Sequence, residues 1–238
     1  MTAIVERAQE LPLVDQGYRA LRGGIIRGEY APGSRLKIDS LQRSLGLSSS
    51  PLREALNRLV AEGLVAMDEW RGFRAAPVSI AELNELTHLR LMLEGDALHR
   101  SVSVGDDEWE GRVVSAAHKL RRSEERSDGL DGAVVDPEDW SARHRQFHLA
   151  LLSGCGCPRQ LRLCESLFDQ AERYRRIASL SGQPRKKNLE HRRLEEAALG
   201  READKAVEIL KAHIRKTAVR VEEVLQASRE SPTKGREV

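Results

Sequence analysis

Four of the seven histidines in this chain stand where they could do chemistry together. His144 and His148 are four residues apart, so on a helix they share one face. Trp140, Leu151 and Leu152 lie near that face and turn it inward. His191 shares a helical face with Leu194 and Ala198, and His213 shares one with Leu210 and Thr217. Three helices would therefore aim imidazoles from apolar faces at one core. Burying several imidazoles without partners is costly. A divalent metal removes that cost, because neutral imidazole is a good ligand for zinc, nickel or copper. The plainer alternative is four core histidines bonded to backbone or water. His88, His99 and His118 fit no such pattern and read as structural or exposed. Cys155 and Cys157 form a C-x-C around Gly156, which is weak as a metal or redox motif. With three cysteines in all, a disulfide framework is not expected. No nucleophile motif, phosphate-binding loop or carboxylate at general-base spacing accompanies the histidines, so the chain does not read as an enzyme.

The elements that would carry these residues belong to a chain of 238 residues, 40% hydrophobic and 32% charged. That fits a soluble globular protein of one or two domains. No apolar run approaches the roughly 18 residues of a membrane-spanning helix. Residues 1–13 do not resemble a secretory signal, so a cytoplasmic location is the expectation. The net charge is +2. Residues 1–77 hold 11 Lys and Arg against 9 Asp and Glu, whereas residues 78–238 hold 28 of each. The small positive excess sits in the first third, too little to establish nucleic-acid binding by itself.

Pro and Gly are concentrated early, and the pattern changes near Ala76-Pro77-Val78. We expect a first domain over 1–77, an all-α domain over 78–228 and a disordered polar tail over 229–238. In the first domain, Val14, Tyr18, Leu21 and Ile25 mark a helix near Asp15–Arg27, stopped by Gly28. Asp39 or Ser40 would cap a short helix ending at Leu45. Ser48, Ser49 or Ser50 would cap a third, with Pro51 in its first turn and an end near Glu62. Leu64–Met67 and Phe73–Ala76 read as two strands around a turn containing Gly72. This is the order of a winged helix-turn-helix. A recognition helix needs polar residues near its start to face base edges, and Ser48, Ser49, Ser50 and Arg53 supply them. Arg71, Gly72 and Arg74 would form a wing on the DNA backbone or minor groove. The alternative is a small α/β packing module with solvated charges. After residue 78, six helices are expected, near 80–103, 106–127, 137–153, 158–179, 187–199 and 202–226.

Residues 15–77 resemble the DNA-binding domain of the GntR family of bacterial transcription regulators. The resemblance runs through Ile26–Leu36, Leu45–Leu56, Leu59–Val65 and Arg71–Phe73. Residues 80–226 resemble the FCD effector domain of the FadR/VanR-like subfamily, in Leu89–Ala97, His144–Leu151, Glu190-His191 and Lys211–Ile214. The fold implied is mainly α: an N-terminal winged helix-turn-helix and a C-terminal bundle of about six helices. The function implied is a DNA-binding regulator, usually a repressor, that reads an inverted repeat of double-stranded DNA as a homodimer and answers to a small organic acid. Arg35, Arg43, Arg71 and Arg74 would contact phosphates, and Arg53 a base or phosphate. Ser49 stands where the family usually has Arg, so a bidentate guanine contact is missing there. The resemblance further implies a divalent metal held by one Asp and three His. His148, His191 and His213 match the histidines, but His144 occupies the Asp position. Four nitrogens would favour zinc or nickel over manganese or magnesium. Arg90 would pair with an anionic group of the effector, unless Glu94 holds it internally, and Tyr174 would line the pocket. A regulator with the ion itself as effector, and a metal-dependent hydrolase, are the alternatives.

Overall fold

The computed structural model describes residues 11–68, 71–127, 137–179 and 189–230. The chain divides into two compact units, Met1–Val78 and Ser79–Val238. In the first, α1 spans Leu13–Arg27, α2 Ile38–Leu45 and α3 Ser49–Ala61, followed by β1 (Val65–Asp68) and β2 (Gly72–Ala75). Helix α1 stops because Gly28 takes a left-handed conformation (φ 82°) and its N–H bonds back to Gly24 and Ile25. The cap of α2 differs from expectation. Lys37 is the N-cap residue, and its carbonyl accepts from the N–H groups of Ser40 and Leu41, which puts Asp39 and Ser40 inside the first turn. Ser48 caps α3 from an extended conformation, without a side-chain bond to the helix. β1 and β2 pair antiparallel, from Val65 opposite Ala75 to Asp68 opposite Gly72. Gly72, at φ 72°, lets β2 begin one residue earlier than the apolar pattern suggests. Trp70 and Glu69, expected in the wing turn, lie outside the described residues. Leu21, Ile25, Leu52, Leu56 and Leu59 are fully buried beneath α1, α3 and the hairpin.

The second unit is helical: α4 (Ile80–Val104), α5 (Asp107–Ser127), α6 (Pro137–Leu152), α7 (Pro158–Ser179), α8 (Leu189–Leu199) and α9 (Ala203–Glu230). Together with the winged helix-turn-helix this is the mainly α architecture expected. Helix α9 runs on to Glu230, past the expected end at 226, so 229 and 230 are helical; the rest of the expected tail lies outside the described residues. Helix α4 packs along α9 and α7, while α5 packs on α6 and α8. Ser79 caps α4, its hydroxyl accepting from the Glu82 N–H at 3.1 Å, in an S-x-x-E arrangement. Buried Trp109 ties α5 to the end of α6 by donating Nε1–H to the Leu151 carbonyl at 3.2 Å. Ser101 does the same from α4, at 2.7 Å from the Leu152 carbonyl. These links fix the end of α6, the helix that carries two of the four histidines. No described helix is long and apolar enough to cross a membrane.

Gly154 reports on this packing. A Cβ there would lie 2.9 Å from Trp109 and 3.3 Å from the Gly105 Cα. Gly154→Ala should therefore cost about 1–3 kcal/mol by overpacking. Gly111, exposed in α5 with nothing nearby, should gain about 0.5–1 kcal/mol as Ala. Urea unfolding of the two variants checks both signs.

Candidate functional site

The second unit brings four histidines together. Helix α6 supplies His144 and His148, α8 supplies His191, and α9 supplies His213. All four are buried. Their ring centroids lie 4.5 Å (His144 to His148) to 6.1 Å (His144 to His213) apart. One nitrogen from each lies within 4.8 Å of all the others. Two nitrogens on one ion, at bond lengths of about 2.0–2.1 Å, can be at most about 4.2 Å apart.

The two pairs are held differently. His191 Nδ1 lies 3.0 Å from a Glu124 carboxylate oxygen, and His213 Nδ1 lies 2.9 Å from one of Glu190. A neutral imidazole that donates Nδ1–H to a carboxylate keeps Nε2 as its lone-pair nitrogen, so the partner fixes the tautomer. Lys216 closes on the other oxygen of Glu190. His144 Nδ1 and His148 Nε2, by contrast, are buried with no hydrogen-bond partner. Such orphans are costly, and clustered imidazole nitrogens without partners are what a divalent cation satisfies. On donor chemistry the residues fit a metal.

The surroundings are aromatic. Trp140 stacks on His144 at 4.5 Å and 16°. The Arg175 guanidinium lies 4.5 Å from the centre of the Trp140 ring and donates to Ser141 Oγ at 2.9 Å. Phe168 lies 5.6 Å from His144 and 5.4 Å from His148. Burial first, and then the neighbouring imidazoles, hold His144 and His148 well below the ordinary histidine range. His213 is also lowered, again chiefly by burial, against the opposing pull of Glu190. Glu190 is drawn down to about 2, chiefly by its hydrogen bond with His213 and with help from Lys216. We read this pair as a neutral imidazole donating to an ionised carboxylate.

The expected effector residues are already engaged. Arg90 is buried, and its guanidinium makes two hydrogen bonds to Glu94, one turn on. The internal alternative for Arg90 is therefore what the structure shows. It still lies 5.2 Å over the Phe168 ring beside the histidines. The Tyr174 hydroxyl accepts from the Ser79 N–H at 3.2 Å and donates to Glu82 at 2.7 Å, so it is spent on the α4 cap. The sequence reading missed Glu124 and Glu190, the carboxylates behind the rings.

In the first unit, Ser48, Ser49 and Ser50 are exposed around the start of α3, and Arg53 is exposed one turn on. Arg53 lines a groove of about 440 Å³ with Arg35, Arg71 and Gly72, together with Lys37, Asn57 and Met67, which the sequence reading did not select. Arg71 lies 3.9 Å from Asp68. Arg43, on α2, donates to the Asp39 carbonyl at 3.2 Å. Arg74 is half-buried and donates to the Gly33 carbonyl at 3.0 Å, tethering the wing to the preceding turn.

A winged helix-turn-helix with a basic groove between α3 and the wing, joined in one chain to a helical bundle, defines a DNA-binding transcription regulator. The comparisons say which one in kind. Residues 13–74 match the model of the bacterial regulatory proteins of the gntR family, and residues 85–216 match the FCD domain. The chain belongs to the GntR family, with an FCD domain. It is 38% identical over 207 residues to the uncharacterized HTH-type transcriptional regulator BphR of Paraburkholderia xenovorans (strain LB400), covering 85% of this chain and 82% of that protein. It is 36% identical over 203 residues to the HTH-type transcriptional repressor GlaR of Escherichia coli (strain K12), covering 83% and 90%. The solved structure of E. coli McbR/YncC shares the fold, with a TM-score of 0.73 at 22% identity over 92% of this chain and 100% of that one. These relatives are transcription regulators, and the chain is not an enzyme.

The lowered histidines give a pH dependence of defined sign. A folded-state value below the unfolded value of about 6.5 means that the unfolded chain binds more protons. The metal-free protein should keep full stability above about pH 6.5 and lose it progressively as the pH falls below that. Glu190 adds its own loss only below about pH 4.5, so the two windows separate. Thermal unfolding from about pH 7.5 to 5 checks this; a flat melting temperature would contradict the burial of neutral imidazoles.

Proposed function

We propose that this regulator binds an inverted-repeat operator as a homodimer, and that a divalent ion held by His144, His148, His191 and His213 controls its operator affinity together with a small carboxylate. The two orphaned buried nitrogens, His144 Nδ1 and His148 Nε2, carry the reading. Bound there, the ion would be a positive centre for docking a carboxylate. The chain's own part is to aim four lone pairs inward, through Glu124 and Glu190 on one side and the Trp140 stack on the other. Zinc or nickel suits an all-nitrogen set. On the DNA side, Ser48, Ser49, Ser50 and Arg53 face base edges, while Arg35, Arg43, Arg71, Gly72 and Arg74 hold the phosphate backbone. A two-fold dimer would place two α3 helices in successive major grooves. Repression is the mode we infer, and the name of the relative GlaR supports it.

A second reading has its own observation. Arg90 is occupied by Glu94, so the cation expected to receive a second anionic group is not free. A regulator whose effector is the ion alone needs no such group. Titration of zinc or nickel against operator binding without any organic acid separates the two readings.

Untagged protein should carry close to one divalent ion per chain, lost in the His148→Ala/His213→Ala variant. Absence of metal after loading with zinc and nickel would overturn the assignment. Glu190→Gln should weaken metal binding by about 10–100-fold while leaving the ligand set intact. His144→Asp should shift preference from nickel toward manganese, because it restores a carboxylate. Competition between the two ions, read by metal analysis, decides it.

A further inference from the structure

Helix α3 exposes a stripe at i, i+4 and i+8: Ser49, Arg53 and Asn57. Its neighbours are unsuited to reading. Arg58 is spent on α1, 2.7 Å from Asp15 and 4.1 Å over the Tyr18 ring. Glu54 is exposed but acidic, so phosphate repels it. Ser49 is too short for a bidentate guanine contact. Arg53 and Asn57 remain. Both line the groove between α3 and the wing, beside Arg35, Lys37 and Arg71. Among the described residues, no ion pair or side-chain hydrogen bond engages either of them.

We propose that Asn57 is a second sequence-reading residue of this regulator, selecting adenine where Arg53 selects guanine. The three surrounding cations would hold the phosphate backbone and bring the stripe against the groove floor. An asparagine carboxamide offers a donor and an acceptor in one plane, which matches N7 and N6 of adenine in the major groove. Residues four apart on a helix are about 6 Å apart along its axis. Base pairs rise about 3.4 Å per step. The adenine therefore lies one or two base pairs from the guanine in each half-site. Ser49 gives up discrimination at the start of the helix, and Asn57 supplies it two turns further along. The inference rests on α3 being the helix that reads DNA.

The test needs no known operator. The full-length protein is used to enrich binding duplexes from a random pool, in parallel with Asn57→Ala, Asn57→Arg and Arg53→Ala, at one fixed salt concentration. The wild-type motif should contain the paired guanine and adenine. Asn57→Ala should lose the adenine preference by about fivefold or more and keep the guanine. Asn57→Arg should replace the adenine with guanine, a gain that misfolding cannot produce. If Asn57→Ala keeps the adenine while Arg53→Ala loses the guanine, Asn57 does not read sequence and α3 remains the reading helix. If neither variant changes the motif, the assignment of α3 falls with it. A uniform loss of affinity in Asn57→Ala, with the motif intact, would reassign Asn57 to the phosphate backbone and also overturn the proposal.

Discussion

The second unit is organised around a conflict that its own residues create. Four imidazoles occupy one buried volume, and burial disfavours the charged form of His144, His148 and His213. Neutral imidazoles present lone pairs, and two of these have no protein partner. An ordinary core would replace such residues with leucine at a gain in stability. This one instead invests further in holding them. Trp140 fixes one ring by stacking, and Arg175 fixes Trp140 from behind. Glu124 and Glu190 reach in from α5 and α8 to fix two more. Helices α6, α8 and α9 are thereby committed to one mutual arrangement, which an ion bonded to all three would lock and its removal would loosen. That is the kind of element whose equilibrium a ligand can bias.

Charge argues in the same direction. Imidazoles bring no negative charge to the centre, but Glu124 and Glu190 stand directly behind two of them. Lys216 compensates Glu190 only at the surface. A dication at the centre would therefore be balanced through hydrogen-bonded imidazoles rather than by direct carboxylate ligands. Direct carboxylates favour hard ions such as manganese or magnesium; imidazoles backed by carboxylates favour borderline ones such as zinc and nickel. On the proposed reading, a His rather than an Asp at residue 144 would bear on which ion is chosen.

Much of this was legible in the sequence, for definable reasons. The convergence of the rings could be read because each histidine shares a helical face with apolar neighbours, a local signal of period 3.6. The six bundle helices and the helix-turn-helix order were legible for the same reason. What escaped depends on pairings between distant residues. Glu124 is 67 residues from His191, and Glu190 is 23 from His213. Nothing in spacing marks them among 37 acidic residues. Tyr174 was expected to line the pocket, yet its hydroxyl meets Ser79, 95 residues away. The α2 boundary was misread because Asp39 and Ser40 are good caps in isolation, whereas the chain turns at Lys37 instead.

The DNA-binding face shows the same division between local and distant signals, with a consequence for specificity. The stretch Ser48 to Arg53 stands out because polar residues at a helix start are conspicuous. Asn57 does not, since a lone asparagine at mid-helix reads as an indifferent surface residue. Only the placement of β1 and β2 beside α3 shows that its side chain opens onto the same basic groove as Arg53. Phosphate contacts hold DNA but carry no sequence information directly. Discrimination must come from the few side chains on the exposed stripe. With Ser at the first of its three positions, this chain cannot read that base pair as an Arg-bearing relative would. On the proposed reading, its operator differs there or is bound more weakly.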